Sequence, residues 1–329
     1  MNYEKAALQL LKSLRGRSSQ RQLSRKLGFS SNVVYRWESG RTVPAAAEFF
    51  RLAELVGRKP KQRLLEAGFL EERDSTLDLG SNAGVAAWLN ALRGELPIRR
   101  LADSTTQSRF VLSRWLSGAT VVRLPDLLLL VDTLSHRGLD FVAGFVDPFK
   151  LPSVAAEWAA LDSSREAALH HPWSHAVLRV LELEQYQALP KHQRGFIAKV
   201  LGISPKEEET CLQILRKAGQ IKLDGERWVI VEQRTLDTRT VKQRAHDPRG
   251  FWIDVAHQSW KRQIPGAYSY NICSLSAADF ERLRTLYRRF FSEMQELVER
   301  STPSQCVALV CTQMVAFRPL TPGAENILS

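Results

Sequence analysis

Apolar residues recur along residues 5–57 at the spacing of a run of short helices. Ser19-Gln20-Arg21-Gln22 has the S-x-x-Q form of a capping box and predicts a helix with Leu23 and Leu27 on its apolar side. Gly28 supplies the left-handed residue that ends it. Phe29-Ser30 carries the chain round, and Ser30 is placed to cap a second helix from Ser31 to Ser39, stopped by Gly40. Trp37 follows Val34 by three positions on one face of that helix, which assigns it to the core and not to a base-stacking platform. Helix, glycine turn and capped helix in this order are the spacing of a helix-turn-helix, a motif whose second helix enters the major groove of DNA.

Further along, residues 149–173 read as polar and helical. Residues 174–231 read as a winged helix: one helix from Ser174 to Tyr186, a second from Gln193 to Leu201, and a third opened by Ser204-Pro205-Lys206-Glu207. Ile221–Leu223 and Arg227–Val231 then form a two-strand wing about a tight Asp224-Gly225 turn. Glu207-Glu208-Glu209 at the start of the third helix would confront phosphate in a DNA-docked wing, so this unit is expected to be structural or regulatory. Residues 249–262 predict a helix, Tyr268–Ser274 an extended segment, Ser276 the cap of a long helix to Arg300, and Cys306–Phe317 a strand. The fold expected is mainly α, with helix-turn-helix domains in tandem, a winged-helix-like middle unit and a small α/β C-terminal module.

The tandem arrangement comes from an internal repeat. Shifted by 78 residues, the first motif aligns with itself without a gap: Leu14-Arg15-Gly16, Leu23, Arg36-Trp37 and Ser39-Gly40 return as Leu92-Arg93-Gly94, Leu101, Arg114-Trp115 and Ser117-Gly118. The units expected are therefore 1–68, 79–148, 149–231 and 232–329. In the second copy Ser19, Gln20, Gly28 and Glu38 are replaced by Pro97, Ile98, Thr106 and Leu116, while Arg109 and Arg114 stand where Ser31 and Arg36 stand. Two readings follow: the second copy reads an adjacent half-site through Arg109 and Arg114, or it serves packing and dimerisation. Its near-neutral charge favours the latter.

Charge sharpens the contrast. The net charge of +11 lies mostly in residues 1–68, with 14 Lys/Arg against 5 Asp/Glu, whereas residues 79–148 carry 7 against 6. A local basic excess is the footprint of a polyanion-binding surface. Arg36 has the geometry for a bidentate pair with guanine and Asn32 for one with adenine; Gln20, Ser30 and Arg41 suit phosphates.

Gln20, Leu23, Gly28, Val34, Trp37-Glu38, Gly40 and Pro44 together resemble the lambda-repressor-like (Xre/Cro type) domain, over about one sixth of the chain. The resemblance implies a five-helix domain in which Gln20 contacts a phosphate and Ser31, Asn32 and Arg36 face base edges. Trp173 onward, with Tyr268-Ser269, Ser274-Leu275-Ser276 and Asp279-Phe280, resembles a bacterial family that joins a helix-turn-helix to a C-terminal domain of unknown function. The chain departs from it at Ala267, where a histidine is expected before the Tyr-Ser pair.

Other chemistry has little footing. Phosphate loop, HExxH, GxSxG and paired-carboxylate motifs are missing, so catalysis and cofactors are not expected. His171 and His175 stand i, i+4, but Pro172 interrupts them, and no metal site is expected. Four scattered cysteines without CxxC and the absence of a signal-like start fit a reducing cytoplasm, beside the nucleoid. The densest apolar run, Leu124 to Leu134, is broken by Pro125, Asp126 and Asp132 and is too short for a bilayer. The function expected is a DNA-binding transcriptional regulator, acting as a homodimer on double-stranded DNA, with the C-terminal half dimerising or sensing an effector. The alternative is a protein-interaction adaptor, antitoxin-like or a phage-response partner, with secondary DNA binding.

Overall fold

A computed structural model describes residues 1–71, 74–231 and 248–317; of the expected C-terminal module, 232–247 and 318–329 lie outside the described residues. The chain divides into two compact units, 1–162 and 163–329.

The first unit opens with α1 (Tyr3–Arg15), whose Asn2 cap accepts from the Lys5 amide at 3.1 Å. Ala6, Ala7, Leu10, Leu11 and Leu14 line its buried face. The helix stops at Gly16, with φ 57° and ψ −126°, a conformation open only to glycine. Four helices follow: α2 (Gln20–Lys26), α3 (Val33–Glu38), α4 (Ala46–Leu55) and α5 (Pro60–Glu66). The succession then recurs as α6 (Asn82–Arg93), α7 (Ile98–Asp103), α8 (Arg109–Leu116), α9 (Leu124–Ser135) and α10 (Gly138–Phe145). Gly94 closes α6 with φ 54° and ψ −131°, the backbone of Gly16 reproduced 78 residues on.

One hydrophobic core runs through both sets of helices. Phe49 and Phe50 on α4 meet side chains of the second set, Phe49 with Phe145 at 5.0 Å between ring centroids and Phe50 with Trp88 edge-on at 5.6 Å. Trp88 stacks on Phe141 at 6.1 Å and donates its indole N–H to the Phe69 carbonyl at 2.7 Å. A 3-10 turn, Pro148–Lys150, and α11 (Ala155–His170) continue the chain.

In the second unit α12 (Trp173–Leu181), α13 (Glu184–Gln187), α14 (Phe196–Leu201) and α15 (Pro205–Lys217) precede a hairpin of β1 (Ile221–Asp224) and β2 (Arg227–Ile230). Two expectations need adjusting. The helix expected to reach Tyr186 breaks at Leu183, which is extended with φ −63° and ψ 136°. The hairpin pairs Asp224 with Arg227, so its two-residue loop is Gly225-Glu226, with Gly225 at φ 59°. α16 (Pro248–Lys261) and α17 (Ala277–Arg300) complete the helices, and Ser276 caps α17 by accepting from the Asp279 amide at 3.1 Å.

The α/β C-terminal module expected from the sequence does not form: among the described residues the single sheet is β1–β2, and neither Tyr268–Ser274 nor Cys306–Phe317 forms a strand. Both runs have strand-like composition, but a strand persists only where a neighbour completes its ladder, and these meet none among the described residues. Instead the Ser304 carbonyl accepts from the Glu184 amide at 2.8 Å, and Val307 packs against the core of α12, α14 and α15. The chain is mainly helical.

Candidate nucleic-acid interface

The α2–turn–α3 segment is pinned from below and bare above. Leu23, Leu27, Val34 and Trp37 are buried, and Phe29 meets Trp37 edge-on at 5.9 Å. Trp37 therefore belongs to the core, as its spacing predicts. Ser19 caps α2 by accepting from the Gln22 amide, and Gly28 makes the turn at φ 88°.

The recognition helix starts two residues later than expected, at Val33, and Asn32 caps it in place of Ser30, accepting from the Tyr35 amide at 3.3 Å. The sequence offers Ser30, Ser31 and Asn32 in succession, all good caps. Asn32 takes the role because Ser24 on α2 also donates to its Oδ1, at 3.2 Å, while accepting from the Val34 amide at 3.1 Å. Asn32 Oδ1 is thus engaged, leaving its amide NH2 as the group able to face a base without dismantling the cap. Ser30 and Ser31 are exposed, and Arg36 lies over the surface with its guanidinium 3.4 Å from the Ser31 hydroxyl.

Gln20 has a partner within the protein. Its amide donates to Glu38 Oε2 at 2.5 Å, and Arg15 Nε donates to Glu38 Oε1 at 2.5 Å. Glu38, buried, ties together α1, α2 and α3. This matters electrostatically, because Glu38 is the one acidic residue between Arg17 and Pro44. With it sequestered, the exposed side carries Arg17, Arg21, Arg25, Lys26, Arg36 and Arg41 with no exposed acid among them. Such a face attracts the phosphate backbone.

Two aromatics escape a sequence reading built on polar side chains. Tyr35, 44% exposed, lies beneath the Arg41 guanidinium at 5.6 Å from its ring centroid. Phe110, 69% exposed, lies beneath Arg114 at 5.6 Å. The signal available was positional, since each falls off the i, i+3, i+4 row of buried residues on its helix, Val34, Trp37 and Glu38 in α3 and Leu112, Trp115 and Leu116 in α8. Arg109 is exposed at the first turn of α8, which Ser108 caps by accepting from the Val111 amide at 3.3 Å.

In the second unit Glu208, part of the acidic run expected to confront phosphate in a DNA-docked wing, is turned inward. It is buried, accepting from the Gly195 amide at 2.9 Å and the Ala198 amide at 2.6 Å at the start of α14. The Tyr186 hydroxyl pairs with His192 Nδ1 at 3.2 Å, and His192 Nε2 lies 3.4 Å from Glu208. Burial pushes the Tyr186 hydroxyl up to about 12. His170, placed beside a metal-like spacing, pairs with Glu166 at 3.1 Å. No helix among the described residues is long and apolar enough to cross a membrane.

Residues 8–65 match the family described as a helix-turn-helix domain, and residues 154–317 match a family described as a domain of unknown function (DUF4423). No curated protein and no solved structure matches the chain. The chain joins a helix-turn-helix domain, a DNA-binding module, to a C-terminal domain of unknown function.

Proposed function

We propose that this protein is a sequence-specific transcriptional regulator that reads the major groove with α3 and acts by binding, without catalysis. The observation that carries this reading is the basic face of α2 and α3, bare of exposed acid because Glu38 is buried. Ser31, Asn32 and Arg36 address base edges, while Ser30, Arg41 and the neighbouring arginines hold phosphates. Gln20 acts on the backbone by positioning α2 through Glu38. The order α12 to β2, three main helices and a hairpin, supports a winged-helix reading of the second unit, with a structural role since Glu208 is spent on an internal cap.

Affinity selection of fragmented genomic DNA by the purified protein, followed by a salt titration on the best site, tests the proposal. A shared site is expected, with affinity falling steeply as salt rises. Arg36→Ala is expected to relax discrimination at one base position by about 1–3 kcal/mol. Absence of enrichment at low salt would overturn the reading and favour a protein-interaction adaptor.

The C-terminal half is assigned to self-association or sensing. α17 supports this: Leu286, Phe290, Leu297 and Val298 are exposed along it, more apolar surface than a helix of a monomeric protein ordinarily leaves open. A homodimer through this helix predicts that Leu286→Lys with Leu297→Lys shifts the chain to monomer in sedimentation, with the fold of the first unit intact.

A further inference from the structure

The two helix sets of the first unit are related to each other as the halves of a symmetric dimer. Ala45 and Arg123, residues 78 apart and hence counterparts, face each other in an antiparallel bridge. The Ala46 amide donates to the Val122 carbonyl at 2.8 Å, and the Leu124 amide donates to the Pro44 carbonyl at 2.9 Å. These two bonds exchange under the same shift of 78. A contact between a residue and its own counterpart, flanked by reciprocal bonds, is the mark of a two-fold axis.

The rest of the interface obeys the same rule. α1 packs on α9, and α6 packs on α4. One cleft is lined by Ala45, Ala47, Glu48 and Arg51 together with Gly80 and Asn82. The other is lined by their counterparts Arg123, Pro125, Asp126 and Leu129 with Asn2 and Glu4. The shared core runs through both.

The second copy also keeps a reading surface. Residues 20–38 and residues 98–116 each hold four basic residues and one acidic, the acid being buried in the first copy (Glu38) and exposed in the second (Asp103). The near-neutral balance of the second copy arises elsewhere: Asp126 and Asp140 are buried beside Arg123 and Arg137, and Asp132 accepts from Tyr3 at 2.8 Å. The replacements of Gln20 and Glu38 are a matched pair, since Ile98 and Leu116 pack in the core where the amide and carboxylate bond each other in the first copy. They therefore record a repacked interior, while on the outer face Arg99 stands at the place of Arg21 and Arg25, Lys26 and Arg41 give way to Asp103, Ser104 and Ala119. On that face Arg109, Phe110 and Arg114 are exposed, in the sequence register of Ser31, Asn32 and Arg36, although α8 already starts at Arg109 where α3 starts at Val33.

The geometry points to a split DNA site read by one chain: α3 takes one half-site and α8 the other, and because their side chains differ the two half-sites differ in sequence. The pseudo-dyad of the protein lies on the dyad of the duplex, as it does for a dimer of helix-turn-helix subunits. Phe110 offers apolar contact where Asn32 offers an amide, so the α8 half-site favours a thymine methyl at that place. This inference rests on the proposed reading of DNA by α3.

The test uses the full chain. Binding-site selection is run on the wild type, Arg36→Ala and, in separate proteins, Arg109→Ala and Arg114→Ala, with native mass spectrometry of each complex. All three arginines are exposed, so folding is retained, and the wild-type thermal transition checks it. Two dissimilar half-sites per chain are expected, with discrimination falling roughly 10-fold or more in one half for Arg36→Ala and in the other for Arg114→Ala. A palindrome of identical half-sites, one chain on each, with Arg109→Ala and Arg114→Ala leaving the selected sequence unchanged, would overturn the inference while sparing DNA reading by α3. Failure of the wild type to select any DNA would overturn both.

Discussion

At the scale of single residues, Glu38 shows how a binding surface is made by hiding a charge. Its carboxylate accepts from both Arg15 and Gln20 in a buried site, and the second copy holds apolar Ile98 and Leu116 at the places of Gln20 and Glu38. Removing one member of such a set strands the others, whereas exchanging the whole set is tolerated. Glu38→Ala is expected to lower stability by about 2–3 kcal/mol in urea unfolding. Gln20→Ile with Glu38→Leu, which imports the interior of the second copy, is expected to recover most of that loss. Additive single effects in the double-mutant cycle would contradict the coupling. Much at this scale was legible in the sequence: the core role of Trp37 followed from its spacing to Val34, and the basic face from composition. The engagement of Asn32 and Gln20 was not, because Ser24 and Glu38 reach them across α2 and α3, and a resemblance names roles without naming intramolecular partners.

At the scale of elements, local signals were read well and remote ones were missed. Ser19, Ser204 and Ser276 each cap the helix that their motif announces. α14, by contrast, begins at Phe196 and not Gln193, because Glu208, far along the chain, satisfies the amides at its start. The strands expected near Tyr268 and Cys306 failed for a similar reason, since pairing is decided by neighbours that composition does not specify. The cluster around Glu208 is also expected to make this unit sensitive to acid. Burial holds the His192 imidazole below its ordinary 6.5, although Glu208 and Glu209 pull it upward. The unfolded chain therefore takes up the proton first as pH falls. The contribution of His192 to stability is full above 6.5 and declines as pH drops below that value toward the lowered one of the folded state. Chemical unfolding compared between about pH 7.5 and about pH 5.5 is expected to show this loss, and His192→Gln to diminish it. An unaltered loss in the variant would assign the acid sensitivity to other groups.

At the scale of the whole molecule, the repeat at 78 residues was visible in the sequence, but the way its copies meet was not. Each copy shows amphipathic helices, and periodicity cannot say whether an apolar face is covered by its own copy or by the other. The aromatic cluster answers this: Phe49 and Phe50 of the first copy are enclosed by Trp88, Phe141 and Phe145 of the second. A core assembled from both copies unfolds as one, since neither half retains enough buried surface alone. Phe141→Ala is expected to cost about 3–5 kcal/mol and to lower the unfolding midpoint seen by probes in either copy by the same amount. A fragment of residues 1–78 leaves Phe49 and Phe50 without their partners and is expected to lack a cooperative thermal transition, whereas residues 1–162 retain one. If the short fragment instead melted at the midpoint of the longer one, the copies would be independent domains and the shared core would contribute nothing. The same outcome would remove the fixed spacing between α3 and α8, because only a common core holds two reading helices at a set distance while a linker lets it vary.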